Sequence, residues 1–99
     1  MMLGDKVKAK EAMELGMIYK VCPDELLQVE ASAAAARLAT MPTIGLGLTK
    51  RALNQSLNHS LEQQLQLEGE LQTQASKSYD FNEGVNAFIE KRQPVFKGE

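Results

Sequence analysis

Apolar residues recur along this chain at helical spacing, and alternation of the kind that marks a half-buried strand is scarce. Ala9, Ala12 and Met13 begin a first helical segment, Ala9 to Leu15, and Gly16 suits the left-handed position that follows a helix end. Met17-Ile18-Tyr19-Lys20-Val21-Cys22, closed by Pro23, is the one strand-like stretch, with Ile18 to Val21 at its centre. A single short strand makes no sheet, so this stretch is an extended link or borrows partners. Asp24 can accept from free backbone N–H groups and cap a second helix that runs to about Thr40, with Leu27, Ala31, Ala34 and Leu38 on one face. The run Ala33-Ala34-Ala35-Ala36 lets another helix approach closely.

Pro42 fits the first turn of a third helix, where a missing N–H costs nothing. Gly45 and Gly47 in its first turns are poor helix formers and imply close contact with something. A fourth helix spans about Leu61 to Ser76. At about 100° per residue, Leu61, Leu65, Leu67, Leu71 and Ala75 cover roughly 160° of its surface. Gln64, Glu68 and Gln72 fall within that arc. The last helix starts at Asp80, where Asp80 and Glu83 form a D-x-x-E variant of the capping box. Phe81, Val85, Phe88 and Ile89 make its apolar stripe, and Pro94 ends it. The expected fold class is all-α, with about five helices and at most the one short strand.

Ninety-nine residues suffice for one small domain. With 5 % aromatics and no Trp, a core must be built from Leu, Ile, Val, Met and Ala. A net charge of −2 supplies no field for nucleic acid. No apolar run is long enough for a membrane span, and Met1-Met2-Leu3-Gly4-Asp5-Lys6 lacks a signal-peptide layout. Cys22 is the sole cysteine, which excludes an intramolecular disulfide and fits a reducing compartment. The expected location is the cytoplasm, with no nucleic-acid or membrane partner.

Candidate chemistry is thin. His59 is the sole histidine, so a His-based metal cluster is excluded; it reads as an exposed residue near a helix start. Cys22 reads as a small buried apolar residue. Glu68 lies on an apolar face and admits two readings, a general base or an ion pair with Lys50 or Arg51; the ion pair is the commoner arrangement. Near the C-terminus, Lys91, Arg92 and Lys97 gather around Phe88 and Phe96. Cations suit phosphate oxygens and an aromatic can cover an adenine face, but cations also favour a helix C-terminus in their own right. Gly84 and Lys91, seven apart, share a side of the last helix, where a glycine lets a backbone or a ligand come close.

Several stretches together resemble a known family. Gly4-Asp5-Lys6-Val7, Ala9-Lys10-Glu11-Ala12 and Leu15-Gly16-Met17-Ile18 with Val21 and Pro23 form one block. Thr49-Lys50 follows, and then Ser78-Tyr79-Asp80-Phe81-Asn82-Glu83-Gly84-Val85, Ala87-Phe88-Ile89-Glu90-Lys91-Arg92, Pro94 and Phe96. In order and spacing, from Gly4 to Gly98, they are similar to the crotonase, or enoyl-CoA hydratase/isomerase, superfamily. Thr43-Ile44-Gly45-Leu46-Gly47-Leu48 and the Gln-rich Leu65-Gln66-Leu67-Glu68 are most similar to its epoxyphenylacetyl-CoA isomerases of phenylacetate degradation.

The resemblance implies a parent α/β spiral fold of which residues 1–99 are the C-terminal helical region. The oxyanion-hole donors and proton-moving acids of the family lie in a core that this chain does not match. It therefore implies no catalytic residue here, no metal and no covalently bound cofactor, with a coenzyme A (CoA) thioester as substrate. It implies a homo-oligomer of trimer type. It assigns Lys91 to the phosphates or adenine of CoA bound mainly by a neighbouring subunit. Two departures matter. Gln72 stands where some hydratases have an aromatic to stack on adenine, and Lys8 stands where relatives often have a Ser-type cap. The contrasting reading is a stand-alone helical interaction domain, which predicts no response to CoA.

Overall fold

A computed structural model of the chain describes residues 4–99. The reading of Met1-Met2-Leu3 as part of a non-signal N-terminus falls outside the described residues. Two units are present, the first ending at Ala34 and the second Ala35–Glu99. Secondary structure is helical: α1 (Ala9–Glu14), a 3₁₀ turn (Asp24–Leu26), α2 (Leu27–Ala39), α3 (Thr43–Ser56), α4 (Leu61–Ala75) and α5 (Tyr79–Glu90). Five α-helices match the all-α expectation, and the described residues include no strand.

In the first unit, α1 starts at Lys8 without a side-chain cap, as the missing hydroxyl predicts. It ends as expected at Gly16, whose φ of +71° puts it in the left-handed region. Gly16 N–H donates to Met13 O at 3.0 Å and Met17 N–H to Ala12 O at 2.8 Å, the two bonds of a Schellman end. Met17 is thereby drawn into the helix end. The stretch up to Cys22 is bend and irregular chain, which corrects the strand expected over Ile18 to Val21. No described strand runs beside it to complete a ladder. Lys20 instead pairs with Glu30 on α2 at 2.6 Å. The hydrogen bond and the charge of Glu30 raise the Lys20 pKa above its ordinary value. Asp24 does not cap α2; it lies inside the 3₁₀ turn that Leu26 N–H closes on Pro23 O at 2.9 Å. Cys22 is half-buried rather than buried.

In the second unit, Pro42 stands just before α3, and its carbonyl accepts the first helical hydrogen bond from Leu46 N–H at 3.0 Å. Gly45 and Gly47 have open space where a Cβ would stand, so the close contact expected of them is not found among the described residues. The α4 N-terminus is a capping box: Ser60 Oγ accepts from Gln63 N–H, and Gln63 Oε1 accepts from Ser60 N–H. Leu71 is buried and Leu67 half-buried on α4, whereas Leu61 and Leu65 are exposed. Gln64 joins α4 to α3 by donating to Ala52 O at 3.2 Å. It also donates to Glu68 Oε1 at 2.9 Å. Glu68 is exposed and forms no ion pair with Lys50 or Arg51. An exposed carboxylate keeps its hydration and needs no buried cation, so the ion-pair expectation gives way.

The largest departure lies in α5. Its cap is Ser78, which accepts from Phe81 N–H at 3.1 Å, so the helix begins before Asp80. Asp80 and Glu83 form no capping box; both are buried with Ala87. Phe88 and Ile89 of the apolar stripe are 86 % and 70 % exposed. The buried face of α5 and its apolar stripe thus lie roughly 150° apart around the helix at 100° per residue. The ending also differs from expectation. The helix stops at Glu90, four residues before Pro94, because Lys91 turns left-handed with φ 54° and ψ 40°. Lys91 N–H donates to Phe88 O at 3.3 Å and Arg92 N–H to Ala87 O at 3.0 Å, the same pair of bonds that closes α1. For a non-glycine residue that conformation costs about 1–2 kcal/mol. Such a residue persists only where its surroundings over-determine it.

Candidate functional site

The C-terminal segment after α5 folds back along the buried face of that helix. Asp80, 2 % exposed, accepts Lys97 N–H on Oδ1 at 2.7 Å and Gly98 N–H on Oδ2 at 2.9 Å. The Asp80 N–H donates in turn to Glu99 O at 3.1 Å. One helical turn on, Glu83 accepts Arg92 Nη1 at 2.5 Å and Arg92 Nη2 at 2.9 Å, a two-pronged ion pair. It accepts Val95 N–H as well, at 2.8 Å. The Arg92 side chain, then the Val95 N–H, hold the Glu83 carboxyl down at about 2, and Glu83 with Glu90 raises the Arg92 pKa. Gly98 could be no other residue without a shift. Its φ is +79°, and a Cβ there would stand 2.6 Å from Thr43 Oγ1.

The two aromatics of the C-terminal cluster line one groove of about 430 Å³, with Phe81, Val85 and Pro42. Phe96 lies over Gly84, 3.7 Å from where a Cβ would be. What approaches Gly84 is therefore the chain's own tail, at ordinary contact distance. Asp80 also lines the groove, and both its oxygens accept from backbone donors of the tail. His59 is half-buried, with Nδ1 3.2 Å from Gln64 Oε1. No group of three or more potential metal ligands exists among the described residues. No helix among them is long and apolar enough to cross a membrane.

The three clustered cations have separated roles. Arg92 is neutralised by Glu83 and by Glu90, the latter at 2.6 Å. Lys97 lies over the Tyr79 ring, 4.1 Å from its centroid. Lys91 is exposed and makes no ion pair among the described residues. Of the three, Lys91 is the cation left for an external anion. Gln72 is exposed on α4. Sequence reasoning picked out Lys91 but missed Asp80 and Glu83 as the anchors of the tail. Their i, i+3 spacing is shared by a helix cap and by a pair of anchors on one face. The distinguishing signal was the company they keep, since Gly84 and Ala87 share their face and Phe81, Val85 and Phe88 do not.

Comparison with known proteins gives a consistent picture. The family model described as enoyl-CoA hydratase/isomerase matches residues 1–99. The 1,2-epoxyphenylacetyl-CoA isomerase of Escherichia coli K12 is 46 % identical over 98 residues, which are 99 % of this chain and 37 % of that protein. A probable enoyl-CoA hydratase of Rhodobacter capsulatus is 39 % identical over 97 residues, 98 % of this chain and 38 % of that one. Among solved structures, an enoyl-CoA hydratase subunit I from Geobacillus kaustophilus HTA426 superposes with a TM-score of 0.94 at 37 % identity, over 98 % of this chain and 38 % of its own. The chain spans little more than a third of the length of these relatives. Matched from end to end by the family model and superposed on a family structure through all five helices, the chain belongs to the enoyl-CoA hydratase/isomerase family.

Proposed function

We propose that the protein to which this region belongs is a CoA-thioester isomerase acting on a ring-epoxide phenylacetyl-CoA. The 46 % identity to the epoxyphenylacetyl-CoA isomerase, against 39 % to the probable hydratase, carries this reading. In the proposed chemistry, backbone donors polarise the thioester carbonyl and a carboxylate assists epoxide opening, giving a ring-expanded oxepin thioester. Neither group is assigned to residues 1–99. The proposed contribution of these helices is subunit packing, of the trimer type, and contact with CoA through Lys91. Cytoplasmic location belongs to the same reading.

The same reading gives this region a non-catalytic role, since neither of those groups is assigned to it. Purified 99-residue chain is expected to give no turnover of 1,2-epoxyphenylacetyl-CoA or of a 2-enoyl-CoA; turnover of either would overturn that role. The longest reading frame containing this sequence, assayed on the same two substrates, tests the acyl class. Preference for the enoyl-CoA would replace the isomerase reading with a hydratase one. Titration of that longer protein with free CoA tests the contact. Affinity should fall by about two- to fivefold in Lys91→Ala, the size of one exposed ion pair. No binding at all would favour the stand-alone interaction domain.

A further inference from the structure

Glu83 is a buried carboxylate that the proposed chemistry does not use. It does not cap α5, and α5 closes its own backbone hydrogen bonds without it. All of its bonding goes to the chain beyond the helix, at Arg92 and Val95. Arg92 is the residue after Lys91, and its guanidinium is held on the other side by Glu90, the residue before Lys91. Lys91 is therefore flanked by the two ends of one ion-paired bridge. It is also the only non-glycine residue with positive φ among those described. The backbone bonds to Phe88 O and Ala87 O that close this turn are those made at Gly16, where no ion pair flanks the turn; at Lys91 the bridge is added to them.

We propose that Glu83, acting through Arg92, is a positioning residue for Lys91. Its ion pair fixes the left-handed end of α5 and so presents the Lys91 ammonium, with Arg92 itself neutralised, to a phosphate of a CoA-type ligand. The ligand half of this inference rests on the CoA reading above; the conformational half does not.

A double-mutant cycle with two readouts tests it. The first readout is the amide-to-Hα coupling and Cα shift of residue 91 by NMR. Glu83→Gln and, separately, Arg92→Lys should move residue 91 out of the left-handed state while helix content by circular dichroism is kept. Arg92→Lys keeps the charge and loses the fork, so it serves where Glu83→Gln fails to fold. The second readout is the affinity for free CoA of the longest reading frame that contains this sequence. Each variant should weaken binding by about two- to fivefold with Lys91 present and by nothing further in a Lys91→Ala background. A role in general stability would lower affinity alike in both backgrounds, and that result would overturn the proposal. So would an unchanged left-handed residue 91 in the variants. If that unaltered longer protein binds no CoA, the CoA reading falls, and the NMR readout alone decides whether Glu83 sets the conformation.

Discussion

Two helices of this chain end in the same hydrogen-bonding pattern, and the residue at the left-handed position differs between them: Gly16 after α1 and Lys91 after α5. Glycine takes that conformation without the Cβ penalty, so the lysine is the more costly choice. Lys91→Gly should therefore stabilise the chain by about 1 kcal/mol in urea denaturation while weakening CoA binding. Loss of stability would mean that the lysine side chain supports the fold directly. The neighbouring ion pair has a pH signature. Glu83 is lowered from an ordinary 4.5 to about 2 by Arg92 first and the Val95 N–H second. A depressed carboxyl binds fewer protons folded than unfolded, so its contribution is complete above about 4.5 and is lost as pH falls towards 2. The Val95 amide, which donates to Glu83, should lose hydrogen-exchange protection over that window, ahead of the amides within α3 and α4. Simultaneous loss would show that the tail does not open separately.

At the scale of the helix, what was legible depended on whether a signal had one meaning. Helical periodicity located all five helices, four of them to within a residue or two, because each carries a Gly, Pro or polar break at its ends. Gly16 was readable because few residues other than glycine favour that turn. The start of α5 was not, since Ser78 and Asp80 are both good caps and sequence alone does not say which carboxylates turn inward. Asp80 and Glu83 had acceptors to offer, but their donors lie up to 18 residues away in an irregular tail with no periodic signal. Lys91 was singled out through family resemblance, whereas the reason it differs from Arg92 is visible only in three dimensions. Gly84 gives a test of that packing. A Cβ there meets Phe96 at 3.7 Å, an ordinary contact, and alanine is the better helix former. Gly84→Ala should raise stability by about 0.5–1 kcal/mol, read as a higher melting temperature. Destabilisation would mean that Phe96 cannot yield even slightly and that the tail is seated more tightly than this distance implies.

Across the whole chain, apolar surface is left uncovered on several elements. The buried apolar residues among those described are Ala12, Leu71 and Ala87, two of them alanines. Leu57 is 92 % exposed, Phe88 86 % and Leu61 77 %. On α5 the face that is covered is the one with carboxylates, because the tail supplies N–H groups and a guanidinium to match them. The apolar stripe is covered only in part: Phe81 and Val85 are partly shielded in the groove with Phe96 and Pro42, whereas Phe88 and Ile89 stay exposed. Scattered exposed leucines are ordinary, but apolar patches beyond a few hundred Å² tend to be buried by association. The isolated chain is therefore expected to self-associate, with a sedimentation coefficient that rises with concentration. Full burial of a phenylalanine side chain is worth about 1.5–3 kcal/mol. If the α5 stripe is the contact, Phe88→Asp should weaken association by at least about tenfold, as that energy implies. The buried side of α5 should be untouched, so the Val95 amide should keep its protection in the same variant. A monomer at every concentration, in the unaltered chain, would mean that these faces tolerate water as they stand, and the subunit-packing role proposed for them would lose its physical basis.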